Sequence, residues 1–180
     1  MPALRAFIFD LDGVITDTAE YHYLAWKRLA DEEGYPFTRH DNEQLRGVSR
    51  SESLLRLLKG RTLPEATFQE HLDRKNRYYQ AYLETITAAD CLPGVTRFLE
   101  QTQAAGIKIG LGSASRNARP VLDKLGLTAM FGVIGDGYSV VNPKPAPDLF
   151  VWVAGGLGVT VDQAVVFEDA EAGVNAALAA

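Results

Sequence analysis

The feature that most constrains this chain lies near its start, where Ala6-Phe7-Ile8-Phe9 runs directly into Asp10-Leu11-Asp12-Gly13. An uninterrupted apolar run, rather than an alternating one, predicts a strand covered on both faces, as in a parallel sheet between helices. Ligands of open parallel sheets bind beyond the carboxyl ends of the strands. The two carboxylates therefore stand where such a sheet would carry a site. Taken alone, Asp-Leu-Asp-Gly reads equally well as a polar turn closing a strand.

After this strand the pattern changes. From about Thr18 to Ala89 it is helical, with segments over Ala19–Glu33, Ser51–Leu58 and Pro64–Leu83. From Leu92-Pro93-Gly94 onward strand and helix alternate. Helices are predicted over 95–105, 117–125, 146–157 and 170–180, and strands over 108–111, 133–134 and 164–167. Such alternation argues for a parallel sheet with helices on both faces. The helical stretch then reads as an insertion, with a core of 1–14 and 91–180 and an insert of 15–90.

Composition removes several function classes. Hydrophobic residues make up 47% and charged residues 23%, ordinary for a globular protein, and the formal net charge is −5. A mildly acidic chain does not match nucleic acid or an anionic membrane. No apolar run approaches the ~20 residues needed to span a bilayer. The start lacks the basic, apolar and small-residue regions of a signal peptide. Cys91 is the single cysteine, so no internal disulfide can form, which fits a reducing cytoplasm. The expectation is a cytoplasmic monomer with no nucleic-acid or membrane partner.

Four clusters fall at the carboxyl edge of the predicted sheet: Asp10-Leu11-Asp12-Gly13, Gly112-Ser113-Ala114-Ser115, Lys144-Pro145 and Glu168-Asp169. The carboxylates of the first and last suit a hard cation such as Mg²⁺. A serine hydroxyl and a lysine ammonium suit a phosphoryl group. One of the first two aspartates can attack phosphorus while the other donates and accepts a proton. Each cluster also has a plainer reading. Ser113 could cap a helix, Lys144 could be an exposed loop lysine, and Glu168-Asp169 could be an acidic helix start after a buried strand. Their occurrence in order, each at a strand end or helix start, favours a phosphoryl-transfer site.

These four segments resemble the motifs of the haloacid dehalogenase-like superfamily: FIFDLDGVITDT the first, GLGSAS the second, NPKPAPDLF the third and VVFEDAEAG the fourth. The resemblance implies an α/β fold, a Rossmann-like parallel sheet core with helices on both faces, plus an inserted all-helical cap domain. Asp12 to His22, Asn42 to Arg50 and Arg74-Lys75-Asn76 further resemble the hinge and cap of the β-phosphoglucomutase family within it. That family interconverts β-glucose 1-phosphate and glucose 6-phosphate through an aspartyl-phosphate, with glucose 1,6-bisphosphate as primer and intermediate.

Carried over, the resemblance makes Asp10 the nucleophile and Asp12 the general acid/base. Mg²⁺ would be held by Asp10, the Asp12 backbone carbonyl, Glu168 and Asp169. Ser113 and Lys144 would hold the transferring phosphoryl group, Arg50, Ser115, Arg116 and Asn117 would grip the second phosphate, and Ala114 would be among the substrate-binding residues. Thr18, His22, Trp26, Arg46, Gly47, Val48, Ser49, Ser53 and Lys75 would face the substrate or the general acid from the cap. On residue type alone, Trp26 reads as core and His22 as a structural helix histidine, although His22 follows Thr18 by one helical turn. Arg46 stands where a lysine can occur in the family. The family also continues with at least one more strand after the last helix read here, so the sheet is expected to lack an edge strand.

The same core motifs serve a sugar-phosphate phosphatase, in which water is the acceptor. The Leu45–Arg50 segment favours the mutase. A dehalogenase would need neither Asp12 nor the acidic pair, and a non-catalytic binding module is the alternative from a different class, expected only if a chain shortened at Ala180 does not fold fully.

Overall fold

The computed structural model describes residues 3–180. Strand β1 (Ala6–Phe9) lies inside a four-stranded sheet with β2 (Lys108–Gly112), β3 (Val133–Gly135) and β4 (Ala164–Phe167), in the order β3-β2-β1-β4. All pairings are parallel. Phe9 is in register with Leu111 on one side and Phe167 on the other. The strands therefore end level, and the residues that follow them emerge along one edge.

The core helices are α5 (Val95–Ala104), α6 (Ala118–Leu125), α7 (Asp148–Gly156) and α8 (Glu171–Ala179). β1 is covered on both faces, as its apolar run predicted. Phe7 and Phe9 point one way, where Phe7 stacks on Phe98 of α5 at 5.7 Å and Phe9 on Phe167 at 4.7 Å. Ala6 and Ile8 point the other way, into a cluster with Phe150, Val153 and Ala154 of α7. β4 departs from expectation. Its residues read as a buried strand, but it lies at the sheet edge and Val165 is 42% exposed. A strand paired on one side only leaves part of both faces open to solvent.

Between β1 and α5 lie α1 (Ala19–Glu33), α2 (Arg39–Glu43), α3 (Arg50–Leu58) and α4 (Glu65–Leu83). Leu29 of α1, Leu54, Leu57 and Leu58 of α3 and Leu72 of α4 form a separate apolar cluster with Trp26. Burying each such leucine contributes about 1.5–3 kcal/mol. α1 ends at Gly34, whose left-handed backbone (φ 68°) donates its N–H back to Ala30 and Asp31. α2 went unread in the sequence because five residues carry no helical periodicity. It is set instead by a reciprocal cap, in which the Thr38 hydroxyl accepts from Asp41 N–H and the Asp41 carboxylate accepts from Thr38 N–H.

The segments linking this helical block to the sheet run side by side. Leu92 N–H donates to the Ile15 carbonyl at 2.9 Å, and the Thr16 hydroxyl to the Asp90 carbonyl at 2.7 Å. No helix of the described residues is long and apolar enough to cross a membrane.

Candidate active site

The strand ends and the helical block enclose a pocket lined by Asp10, Asp12, Ala19, His22, Trp26, Asn42, Leu45, Arg46, Gly47, Val48, Arg50, Ser53, Lys75, Ser113, Ala114, Ser115, Arg116, Asn117 and Asp169. Most residues singled out in the sequence thus converge on one cavity. Thr18 and Lys144 do not line it but hydrogen-bond to Asp12 and Asp10, which do, and Glu168 shares the Lys144 ammonium with Asp10. Ser49 has a different place: its hydroxyl accepts from Glu52 N–H at 3.2 Å and caps α3.

Asp10 leaves β1 and is buried. The Lys144 ammonium, also buried, donates to Asp10 Oδ1 and to Glu168 Oε2, both at 2.7 Å. Burial opposes the charge on Lys144, but the two carboxylates outweigh it and raise its pKa. The plain reading of Lys144 as a solvated loop lysine therefore fails. Ser113 follows β2 and is buried, and its hydroxyl accepts from Ser115 N–H at 3.1 Å. The N-cap of α6 is Asn117, four residues on, so Ser113 is not that helix's cap.

Asp10, Glu168 and Asp169 each present a ligand atom, and these atoms lie within 4.8 Å of one another. The donors are all carboxylate oxygens, without sulfur or imidazole, which fits Mg²⁺ and not a softer ion. Their crowding shows in their titration. Burial and then the charge of Asp10 raise Glu168, and burial raises Asp169 against the opposing pull of Arg46. A divalent cation relieves that repulsion. Gly13 makes the arrangement possible, because it has φ 86° and a Cβ there would stand 2.1 Å from Asp169 Oδ2.

Asp12 is held from the helical block. The Thr18 hydroxyl, at the start of α1, donates to Asp12 Oδ1, and Tyr79 of α4 donates to Thr18 at 3.3 Å. His22 Nε2 stands 4.0 Å from Asp12 Oδ2. Its Nδ1 lies 2.9 Å from the Lys75 ammonium and accepts from it. Burial, then the charge of Lys75, pushes the His22 pKa well below the ordinary histidine value. Burial, then the charge of Arg50, lowers Lys75. Burial and the neighbouring Asp10 raise Asp12 from the usual carboxylate range to about 7. Two adjacent carboxylates with such different surroundings are suited to different tasks.

Arg50 opens α3, and Arg116 precedes α6. Neither makes an ion pair or a side-chain hydrogen bond among the described residues, although Arg116 lies over the Tyr138 ring at 4.9 Å. Burial, then the charge of Arg116, lowers the Arg50 pKa. Two guanidinium groups with no ion-pair contact among the described residues thus face one pocket. Arg46 is paired, reaching Asp169 as well as Glu43.

Trp26 proves to be both core and wall. Ala19, Asn42 and Leu45 line the pocket without having been singled out. Asn42 and Leu45 belong to the cap segment already noted, whereas Ala19 offers only a methyl group and no chemical signal. Tyr79 carries a sequence signal of its own, since it follows Lys75 by one helical turn.

A model of the haloacid dehalogenase-like hydrolase family matches residues 4–180. A β-phosphoglucomutase of Bacillus subtilis (strain 168) is 46% identical over 177 residues, covering 96% of this chain and 78% of that protein. A phosphorylated carbohydrates phosphatase of Thermotoga maritima is 32% identical over 182 residues, covering 98% and 82%. The crystal structure of a β-phosphoglucomutase from Clostridium difficile superimposes with a TM-score of 0.94 at 43% identity, covering 97% of this chain and 80% of that one. The chain belongs to the haloacid dehalogenase-like hydrolase family.

Proposed function

We propose that this enzyme is a β-phosphoglucomutase, interconverting β-D-glucose 1-phosphate and D-glucose 6-phosphate through β-glucose 1,6-bisphosphate. The observation that carries the reading is the Arg50–Arg116 pair. A phosphatase needs one anion site, at the nucleophile. A mutase holds a bisphosphate in either of two orientations and needs a second. Two guanidinium groups with no carboxylate partner, in the same pocket as Asp10, supply that site. The relatives named β-phosphoglucomutase, similar along nearly the whole chain, support the same choice over the phosphatase.

In the proposed reaction Asp10 carries the phosphoryl group. A sugar hydroxyl attacks phosphorus as Asp12 takes its proton; the Asp10–phosphorus bond breaks and the sugar–oxygen–phosphorus bond forms. The bisphosphate reorients. Asp10 then attacks the other phosphoryl group, and Asp12 returns its proton to the leaving sugar oxygen. A cofactor site of Asp10, the Asp12 backbone carbonyl, Glu168 and Asp169 fits the three clustered carboxylates. Bound Mg²⁺ would offset the repulsion between an anionic nucleophile and an anionic phosphate. Ser113 and Lys144 would hold the transferring group, Lys144 from its present place against Asp10. Trp26, Val48, Ser53 and the chain around Ala114, Ser115 and Asn117 would shape the sugar and distal-phosphate sites.

The same reading divides the chain into a core of 1–14 and 91–180 and a cap of 15–90. The cap excludes water from the phosphorylated Asp10. Glucose 1,6-bisphosphate is the primer, the working compartment is the cytoplasm, and the partners are small sugar phosphates. The test is a Mg²⁺-dependent coupled assay on β-glucose 1-phosphate with bisphosphate primer, run beside phosphate release from a generic monoester. Formation of glucose 6-phosphate well in excess of free phosphate is expected. Stoichiometric phosphate release without isomerisation would establish the phosphatase instead.

A further inference from the structure

Arg46 reaches across the cleft. It sits on the loop between α2 and α3, and its guanidinium is paired with Asp169, which follows β4 on the core. Glu43, one helical turn back, steadies it from behind at 3.5 Å. The neighbouring Gly47 brings this loop into contact with the core. It has φ 72°, and a Cβ on it would stand 2.7 Å from the Ala170 methyl, next to Asp169. The loop is therefore set down on the acidic edge of the sheet in this closed arrangement.

Asp169 is also one of the three carboxylates clustered to hold a divalent cation. One side chain is thus asked to serve two positive charges, a guanidinium brought by the helical block and a metal brought from solution. Both carboxylate oxygens lie within about 2.2 Å of each other by covalent geometry, so satisfying both keeps two like charges a few ångströms apart. Their repulsion is damped by solvent, since Asp169 and Arg46 are both partly exposed, but it does not vanish.

We propose that Arg46 is a positioning residue that competes with the divalent cation for Asp169, making cap closure and metal binding antagonistic until substrate arrives. Linkage requires the effect to be reciprocal: closure weakens the metal, and the metal loosens closure. A phosphorylated substrate carries the negative charge that ends the conflict, so the loaded site closes when it holds its substrate. The inference rests on the proposed metal site and adds to it a role in cap movement.

The test is calorimetric titration of MgCl₂ into metal-free protein at fixed ionic strength, for wild type, Arg46→Gln, Arg46→Lys and Lys27→Gln. Lys27 lies on α1, paired with Asp31, and lines no part of the pocket. Arg46→Gln is expected to bind Mg²⁺ about 3- to 10-fold more tightly, the size of a screened repulsion between a single and a double charge. Arg46→Lys, which keeps the charge, and Lys27→Gln, which removes one elsewhere, are expected to stay within about twofold of wild type. In small-angle scattering, Mg²⁺ alone should raise the radius of gyration of the wild type and leave that of Arg46→Gln unchanged. Unchanged or weaker binding by Arg46→Gln, equal tightening by Lys27→Gln, or compaction of the wild type on adding Mg²⁺ would each overturn the proposal. Wild type that binds no Mg²⁺ would instead remove the metal site beneath it.

Discussion

Arg50→Ala separates the mutase from the phosphatase, because the structure lets its effect on the fold be set aside. The Arg50 guanidinium has no ion-pair or hydrogen-bond partner among the described residues to leave stranded, and the repulsion of Arg116 is the largest charge effect on it, ahead of the opposing pull of Asp73. Removing it should cost about 1 kcal/mol of stability or less, from the packing of a half-buried side chain. Its loss from a bound phosphate is different. A hydrogen bond to a charged group is worth about 1.5–3 kcal/mol, which is roughly 10- to 150-fold in kcat/KM for β-glucose 1-phosphate. The coupled assay would be run on that substrate, and hydrolysis followed in parallel on a small monophosphate with no second anionic group. The first rate should fall by that factor and the second hardly at all. Equal losses on both would mean that Arg50 supports the cap and not the distal phosphate. No loss on either would make it an idle surface charge, and the main argument for the mutase would go with it.

Asp10→Asn should abolish isomerisation and hydrolysis together, since an amide cannot form an acyl phosphate; a variant that still became phosphorylated, seen by intact-mass measurement, would contradict the assignment. Asp12→Ala should lower turnover by about 10²–10⁴-fold while calorimetry shows Mg²⁺ still bound, because only the backbone of this residue is assigned to the metal. The titration of Asp12 gives a pH test. Its carboxyl is raised from 3.8 to about 7, so the folded state holds a proton that the unfolded chain has already released between those values. The sign follows: ionising this group costs the fold, and metal-free wild type should lose stability relative to Asp12→Asn as pH rises from about 4 to about 7, by at most about 4 kcal/mol. Urea unfolding at several pH values measures it, and a difference that stayed flat or grew in favour of wild type would refute the burial argument.

What could be read from the sequence was what repeats locally. β1 was legible because a strand buried on both faces is apolar without interruption, and α1, α3 and α4 because a buried helix face returns every three or four residues. α2 was too short to show a period. Val165-Val166-Phe167 has the composition of an inner strand although β4 stands at the sheet edge, and nothing local says whether a neighbour lies beyond it. Asp10, Ser113 and the acidic pair are legible as a set with Lys144, since the first three follow strands that end at the same edge and Lys144 lies in the loop that returns from β3 to α7. Ser49, which the resemblance turns toward the substrate or the general acid, caps α3 in the structure, and a serine three residues before Glu52 already carries that signal. No local pattern marks the environment of Asp12: Thr18, His22 and Lys75 come only from the family resemblance, and Tyr79 not from it. Tyr79 lies 61 residues from Thr18, and Lys75 lies 53 from His22, so those contacts exist only after the chain has folded.

That environment bears on how the proposed enzyme avoids losing its phosphoryl group to water. Asp10 is positioned by the core, through Lys144 and the end of β1. Asp12 is positioned by the helical block, through Thr18 on the entry to α1, with Tyr79 of α4 behind it and His22 and Lys75 alongside. The nucleophile and the proton carrier therefore answer to different parts of the chain. If the cap lifts, Lys144 and Ser113 stay with Asp10, but Thr18 is drawn away from Asp12, and the Asp12 carboxylate loses the donor that orients it. A water molecule that entered the open site would meet a phosphorylated Asp10 with no aligned base to activate it. A sugar phosphate that lets the cap close restores the base in the same movement that shuts water out. On this argument the discrimination between sugar and water does not require the core to recognise either one. It requires only that the hydrogen bond from Thr18 to Asp12 exist in the closed form and not in the open one.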